Sequence, residues 1–232
     1  MSQNMNDRAA WERARIELLA KEKAHSKAPE ELAAARRALP KYRVTAPYVF
    51  QSMSSEKTLA DLFAGRSQMI VQHFMLGPHA SAGCPMCSFW ADGFESMVVH
   101  MNQRDITFVA VSRGAVSAIE AYRQRMGWTF EWVSSGETSF NPDFMVTPSE
   151  ADLAAGRWRY NYQEQPVRMR DNPGISVFEK TSGGDVLHTY STYGRGLENT
   201  NAAYSCIDLT PLGCNESGLP FPMAWVRRHD EY

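Results

Sequence analysis

The chain has little net charge and no long apolar run. Among its 232 residues, 24 Lys and Arg stand against 26 Asp and Glu, so the formal net charge is -2. A nearly balanced charge gives no reason to expect a nucleic acid or an anionic membrane as a partner. No apolar stretch approaches the ~20 residues that a membrane-spanning helix needs. Residues 1–7 lack the basic segment and apolar core of a secretory signal, so we expect a cytoplasmic protein that does not bind membranes.

Cysteine is also scarce, with four residues in the whole chain. In the cytoplasm glutathione and thioredoxin keep thiols reduced, so a persistent structural disulfide is not expected. Two of the cysteines, Cys84 and Cys87, form a CxxC motif with Pro and Met between them. In a reducing compartment this spacing is typical of a catalytic or redox-sensing dithiol.

The motif follows a predicted strand and opens a predicted helix. Residues 68–75 are a β-branched and aromatic run that ends in glycine and proline, and apolar residues recur at helical spacing over residues 89–101. Pro85 suits the first helical position, where its missing N–H has no intrahelical partner. Cys84 therefore lies at the helix N-terminus, where free N–H groups and the helix dipole favour a thiolate. We expect Cys84 to attack a disulfide and Cys87, one turn inside the helix, to resolve the product.

Two other roles for the motif stay open. A structural zinc site needs four ligands, but the remaining cysteines, Cys206 and Cys214, are more than a hundred residues away. Buried structural thiols are the second alternative, because free cysteine packs as a small hydrophobe. The redox interpretation is favoured over both.

Length and composition predict one elaborated domain. A chain of 232 residues with 44% hydrophobic content can bury a full core. Residues 1–42 are predicted to form a helical arm and residues 43–210 the core. Residues 134–172 are an insertion that forms either a wall of the site or local aromatic packing. Residues 211–232, which are rich in Gly, Pro and aromatics, are predicted to be a surface tail.

The core alternates strands and helices. Strands are predicted at residues 68–75, 105–111 and 129–133, with helices between them, so a parallel sheet covered by helices is expected. Residues 174–190 then form an antiparallel hairpin around a Gly-rich turn. A single helix over residues 196–207 is expected to close the core.

This order of elements resembles the thioredoxin fold, in its peroxiredoxin-like branch, over residues 43–210. Three local matches carry the resemblance: the CxxC at a helix start, the strand at residues 106–112, and Pro173 shortly before a strand. The resemblance implies an α/β fold with a central mixed sheet flanked by helices. In thioredoxin-like proteins a proline at such a position is typically cis and faces the disulfide, which implies that Pro173 is a site residue.

A closer resemblance runs nearly from end to end. It is carried by residues 18–23, 72–75, 83–92, 108–113, 190–193 and 225–232. These segments are similar to those of a bacterial family of unassigned function, domain of unknown function 899, which is catalogued as predicted dithiol-disulfide oxidoreductases. The resemblance implies a disulfide substrate and says nothing of which one. Cys206 and Cys214 lie outside the recognised pattern.

The expected function is thiol-disulfide exchange at Cys84 and Cys87 with a protein or a small-molecule disulfide as substrate. A cellular thiol reductant would recycle the motif, and the chemistry requires neither a metal nor an organic cofactor. Proton transfer at Cys87 needs a titratable group nearby. His73 on the motif strand and His79 in the following loop are the candidates, each weighed against a histidine that is merely packed or solvent-facing.

Two further functions remain alternatives. In a thiol peroxidase, Cys84 would be oxidised to sulfenic acid and Cys87 would condense with it. Ser81 has the spacing of the Thr or Ser that precedes the cysteine of peroxiredoxins, whereas Pro78 is displaced by one position. The arginines available to activate the thiol are Arg113, Arg168 and Arg170. The other alternative is a noncatalytic redox sensor or scaffold whose arm and tail bind a partner. We also expect a homodimer formed through the arm.

Overall fold

A computed structural model describes residues 7–136 and 138–232. Its residues fall into two compact units, the first ending at Pro40 and the second extending from Lys41 to Tyr232.

The first unit consists of two helices, α1 (Arg8–His25) and α2 (Lys27–Arg37). Asp7 caps α1, because its carboxylate accepts the N–H of Ala10 at 2.9 Å. No residue of either helix is buried, and the side chain of Trp11 is 64% exposed. The helices of this unit therefore leave large apolar side chains on their surface.

The second unit contains an eight-stranded sheet, a separate two-stranded sheet and several helices. Its strands are β1 (Tyr42–Arg43), β2 (Val49–Gln51), β3 (Glu56–Thr58), β4 (Gln68–His73), β5 (Ile106–Ser112), β6 (Glu131–Ser134), β7 (Arg157–Tyr160), β8 (Gln163–Pro166), β9 (Gly174–Lys180) and β10 (Val186–Tyr193). Its helices are α3 (Pro85–Asn102), α4 (Val116–Arg125), α5 (Phe140–Asp143), α6 (Glu150–Ala155) and α7 (Ala202–Ile207).

The order of strands in the large sheet is β1-β10-β9-β4-β5-β6-β2-β3. Strands β4, β5 and β6 are parallel neighbours, and α3 and α4 connect them. On the other side of β4, strands β9 and β10 form an antiparallel hairpin. A βαβ unit whose first strand also pairs with a later antiparallel hairpin has the connectivity of the thioredoxin fold. The expected α/β architecture with a central mixed sheet is confirmed.

Apolar clusters cover both faces of this sheet. Because side chains alternate along a strand, Ile70 of β4 packs against one cluster while Met69 and Val71 belong to the other. Helix α3 buries Trp90 and Phe94 in the first cluster. This packing holds α3 against the sheet and brings its N-terminus to the end of β4.

The prediction of a single helix over residues 196–207 is wrong. The structure has two 3-10 turns, Gly194–Gly196 and Glu198–Thr200, followed by the short helix α7. Asn201 is the reason, because its backbone is extended, with φ -113° and ψ 101°. Its side-chain oxygen accepts the N–H groups of Ala203 and Tyr204 and so caps a new helix.

The insertion contains ordered elements of its own. Ser149 and Asp152 form a capping box that starts α6. Strands β7 and β8 then pair as the separate two-stranded sheet. In the part of the chain that the structure describes, no helix is long and apolar enough to cross a membrane.

Candidate active site

Cys84 is the N-cap residue of α3, with φ -59° and ψ 131°. Its N–H donates to the carbonyl of Met75 at 3.1 Å, which ties the motif to the segment just after β4. Its own carbonyl accepts the backbone N–H of Ser88 at 3.0 Å and the Ser88 hydroxyl at 2.9 Å. Pro85 fills the first helical position, as expected. The Cys84 thiol therefore lies where the free N–H groups of the helix and its dipole favour an anion.

The two thiols of the motif have opposite acidities. A hydrogen bond from Cys87 is the main cause that lowers the pKa of Cys84 to about 6, against the opposing effect of burial. The N–H groups of Cys87 and Met86 and the charge of Arg228 lower this pKa further. The same hydrogen bond, together with burial, raises the pKa of Cys87 well above its ordinary value. Near neutral pH, Cys84 is thus a thiolate and Cys87 a protonated thiol.

Arg228 is the cation beside Cys84. Its Nε and Nη2 donate to the carbonyl of Gly83 at 3.0 and 2.7 Å, and its Nη1 donates to Glu231 at 2.7 Å. Sequence reasoning missed this residue, because it assigned the C-terminal segment, residues 211–232, to the surface. The one signal that pointed to Arg228 was the family resemblance over residues 225–232.

Asp171 is the nearby carboxylate that raises the pKa of Cys87 further through its charge. Arg113, which is buried, donates to Asp171 through Nε at 2.9 Å and Nη2 at 3.3 Å. Thr147 also donates its hydroxyl to Asp171 at 2.7 Å. Arg113, one of the arginines considered for activating the thiol, therefore forms an ion pair with Asp171, a residue that sequence reasoning did not single out.

A cavity of about 710 Å³ opens beside the dithiol. Four of the five predicted site residues border it, namely Cys84, Cys87, Pro173 and His73. The fifth, His79, is exposed in the loop before the motif and does not border the cavity.

One nitrogen of the His73 imidazole, Nε2, belongs to a chain of hydrogen bonds within the sheet. Its Nε2 lies 2.8 Å from the Ser176 hydroxyl, which lies 2.7 Å from Ser191, and Ser191 lies 2.7 Å from Nε2 of His188. Burial, with a smaller contribution from His188, lowers the pKa of His73 to about 3. The ring packs against Phe144, which belongs to the apolar cluster on the sheet face that does not hold Cys87. His73 is therefore a neutral, packed histidine, and its imidazole lies on the face of the sheet opposite Cys87.

Pro173 borders the cavity, but the expectation that its peptide bond is cis is wrong. No peptide bond within residues 7–136 and 138–232 is cis. Two hydrogen bonds position the chain at this point. Asn172 donates its N–H to Val146 at 2.8 Å, and Tyr160 donates its hydroxyl to the Pro173 carbonyl at 2.7 Å. These contacts lead the chain into β9 with a trans bond.

The insertion has both of the roles considered for it. Met169 borders the cavity and so contributes to its wall. Trp158 and Tyr160 instead stack on each other, with ring centroids 5.3 Å apart.

The other two cysteines differ in position. Cys214 borders the cavity and donates its thiol to Asp208 at 3.1 Å, and this bond raises the pKa of Cys214 to about 11. Cys206 is exposed. Across the described residues, no three His, Cys, Asp or Glu side chains gather in a way that could hold a metal ion.

Among solved structures, the chain is similar to Peroxiredoxin Q from Xanthomonas campestris, with 12% sequence identity and a TM-score of 0.49 over 74% of this chain and 96% of that one. It is also similar to Peroxidoxin BcpB from Mycobacterium tuberculosis, with 10% identity and a TM-score of 0.43 over 72% and 96% of the two chains. No curated protein matches the chain. A family model described as "Bacterial protein of unknown function (DUF899)" matches residues 1–232, and the chain belongs to that family.

Proposed function

We propose that this protein is a thiol-disulfide oxidoreductase that uses Cys84 and Cys87 as its dithiol. The observation that carries the proposal is a thiolate and a protonated thiol held one helix turn apart at the edge of a cavity. A thiol whose pKa lies near the ambient pH is the most effective nucleophile in disulfide exchange.

The reaction begins when the Cys84 thiolate attacks one sulfur of a substrate disulfide. The substrate S–S bond breaks, one substrate thiolate leaves, and a mixed disulfide joins Cys84 to the other half. Cys87 then loses its proton and attacks the Cys84 sulfur, which releases the second substrate thiolate. The substrate gains two electrons, the motif becomes a Cys84–Cys87 disulfide, and a cellular thiol reductant restores it.

The order of the two attacks follows from the coupling of the thiols. While Cys84 is a thiolate, its charge and its hydrogen bond hold the pKa of Cys87 high, so Cys87 stays unreactive. Once Cys84 is part of a mixed disulfide, both of these causes disappear and Cys87 becomes more acidic. Because burial lowers the pKa of His73 to about 3 and its ring packs on the sheet face opposite Cys87, we expect solvent to take the proton rather than His73.

The test is a redox titration of the purified protein in dithiothreitol buffers, with alkylation and mass spectrometry at each cysteine. Cys84 and Cys87 are expected to change together as a two-electron couple. The Cys87→Ser variant should accumulate a mixed disulfide with hydroxyethyl disulfide, and the Cys84→Ser variant should not react. Cys206→Ser is the matched control, because Cys206 is exposed and lies outside the cavity lining.

Two outcomes would count against the proposal. If Cys84 and Cys87 never pair, the motif consists of structural thiols. If they pair but the protein does not turn over with a disulfide and a thiol reductant, a redox sensor is the better description.

A thiol peroxidase is the second candidate, because Arg228 lies close to the Cys84 thiolate. In that reaction the Cys84 thiolate takes one oxygen of hydrogen peroxide and becomes a sulfenic acid, and the other oxygen leaves as water after it takes up a proton. Cys87 then condenses with the sulfenic acid, which forms the Cys84–Cys87 disulfide and releases a second water. Rapid, stoichiometric consumption of hydrogen peroxide by the reduced protein, lost in Cys84→Ser, would favour this candidate over disulfide exchange.

A further inference from the structure

The wall of the cavity beside the dithiol is predominantly apolar and adaptable. Four methionines line it, Met75, Met86, Met169 and Met223, together with Trp90 and Leu197. Methionine is flexible and polarisable, so such walls adjust to apolar ligands of different shape. The volume of about 710 Å³ falls within the range of small-molecule sites.

The C-terminal segment encloses the cavity on one side. Met223 and Glu216 of this segment border it. One carboxylate oxygen of Glu216 accepts the Tyr204 hydroxyl at 2.7 Å, the indole N–H of Trp225 at 2.7 Å and the N–H of Met223 at 3.1 Å. Arg228 attaches the same segment to the residue next to the nucleophile, because its guanidinium donates to the carbonyl of Gly83. Because this wall is fastened, we expect it to limit the approach of the backbone of a folded protein substrate.

The charges around the cavity disfavour an anionic substrate. Burial opposes ionisation of Glu216, but its three hydrogen bonds lower its pKa overall, so it is a carboxylate near neutral pH. Among the described residues, Arg195 is the cation that lines the cavity, and it faces Glu198 at 3.6 Å. Arg228 donates to the Gly83 carbonyl and to Glu231. The lining thus carries the Cys84 thiolate and the carboxylates of Glu198 and Glu216 against the exposed guanidinium of Arg195, so an approaching anion would meet net repulsion.

We propose that this cavity selects small, uncharged, apolar disulfides over anionic disulfides and over protein disulfides. The inference rests on the proposed function and adds the class of substrate to it. The dithiol supplies both electrons of the reaction, because Cys84 and Cys87 become a disulfide. The organic disulfide RSSR gives two thiols by taking these electrons, the proton of Cys87 and one further proton from solvent.

The test compares three disulfides in single-turnover reactions with the reduced protein at neutral pH. They are 4,4'-dithiodipyridine, which is uncharged, 5,5'-dithiobis(2-nitrobenzoate), which is a related dianionic aromatic disulfide, and insulin. Each rate is divided by the rate of the same disulfide with 2-mercaptoethanol, which removes differences in intrinsic reactivity. The normalised rate for the uncharged disulfide is expected to exceed the other two by about tenfold or more, a difference of ~1.4 kcal/mol in barrier.

Paired substitutions locate the selectivity. Met223→Glu places a charge in the cavity wall and is expected to abolish most of the preference. Met169→Glu tests a second position of the lining should the first variant fail to fold. Met53→Glu is the matched control, because Met53 is 67% exposed and lies outside the cavity lining. Alkylation of Cys84 by iodoacetamide checks that the dithiol of each variant is intact.

The outcomes separate the inference from the proposed function. If the three normalised rates are equal, or if insulin is reduced as readily as the uncharged disulfide, the inference is overturned while the oxidoreductase stands. If both glutamate variants keep the preference, the cavity is not its source and the inference is likewise overturned. If no disulfide oxidises the dithiol and no two-electron couple is found, the proposed function itself fails.

Discussion

Cys84 and Cys87 are chemically the same residue, and their surroundings make them different. Cys84 lies before the first turn of α3, where N–H groups, Arg228 and the partner thiol stabilise its anion. Cys87 lies inside the turn, where burial and the charges of Cys84 and Asp171 oppose its ionisation. The pKa of each thiol is therefore set by its position relative to the first turn of α3.

The rate of Cys84 alkylation by iodoacetamide is expected to rise with pH and to reach half of its maximum near pH 6, the pKa of this thiol. The sign follows because the thiolate is the nucleophile, and a lowered pKa means that the rate has nearly levelled off at neutral pH. Alkylation kinetics followed by mass spectrometry measure the midpoint. A midpoint near the pKa of ~8.5 of an ordinary cysteine would contradict the assignment.

Two substitutions rank the causes of this lowered pKa. Cys87→Ala removes the largest one, the hydrogen bond from Cys87, and is expected to move the midpoint upward. Arg228→Gln removes a weaker cause and should give a smaller upward shift. If Arg228→Gln has the larger effect, the helix turn is not the main source of acidity.

At this scale the sequence predicted the dithiol and little of what surrounds it. The CxxC spacing and Pro85 place both thiols, because those features act within one turn. Arg228 contacts Gly83 across 145 positions of the chain, a tertiary contact that no local pattern contains. His73 is close to the motif in sequence and was therefore a reasonable candidate. Side chains alternate between the two faces of the sheet along β4, however, and the ring of His73 packs on the face opposite Cys87.

The loop that leads into α3 is positioned by close packing. A Cβ added to Gly83 would lie 2.4 Å from the ring of Phe74 and 2.7 Å from that of Tyr122. Both rings are buried, so neither can move away cheaply. Inside α3, by contrast, a Cβ added to Gly93 would meet nothing within 4 Å.

Alanine at these two glycines is expected to change stability in opposite directions. Gly83→Ala should lower the free energy of unfolding by about 1–3 kcal/mol, because overpacking forces the two rings to shift. Gly93→Ala should raise it by about 0.5–1 kcal/mol, because glycine in a helix interior is less favourable than alanine. Urea unfolding followed by circular dichroism measures both. A neutral Gly83→Ala variant would mean that the loop before the motif is not tightly packed.

At the scale of elements, hydrophobic period and turn residues predicted the motif strand, α3, β5, α4 and the hairpin well. Each of these has a face that the core must bury, and the sequence displays that face. The helix expected over residues 196–207 failed because a single capping side chain, Asn201, interrupts it. A cap of this kind depends on the backbone conformation of one residue, which apolar periodicity does not contain.

For the whole molecule, the connectivity was predictable and the position of the C-terminal segment was not. The parallel order of β4, β5 and β6 follows from their helical connections, and the position of the β9-β10 hairpin beside β4 follows from the resemblance to the thioredoxin fold. The C-terminal segment is attached by polar contacts with distant elements, such as His229 with Asp92 at 2.7 Å and Arg125 with Asp230 at 2.7 Å. These contacts join groups of ordinary surface composition, so the sequence alone indicates a tail.

The two helices of the first unit have no buried residue of their own. Trp11 and Leu18, seven positions apart and therefore on one face of α1, are 64% and 49% exposed. Exposed apolar surface of this kind is typical of an interaction site, and short helices gain most of their stability from packing. The proposed homodimer through the arm would supply that packing.

The full chain is expected to be a dimer that the double substitution Trp11→Ser and Leu18→Ser converts to a monomer, because the serines remove the apolar face that would bury on association. Sedimentation equilibrium measures the mass. The control carries Leu209→Ser and Leu212→Ser, two exposed leucines of the second unit, and should remain a dimer. The alkylation profile of Cys84 should be the same in all three proteins, because every contact that sets its pKa lies between Lys41 and Tyr232. A monomeric full chain, or a dimer that survives the arm substitutions, would place the interface elsewhere or remove it.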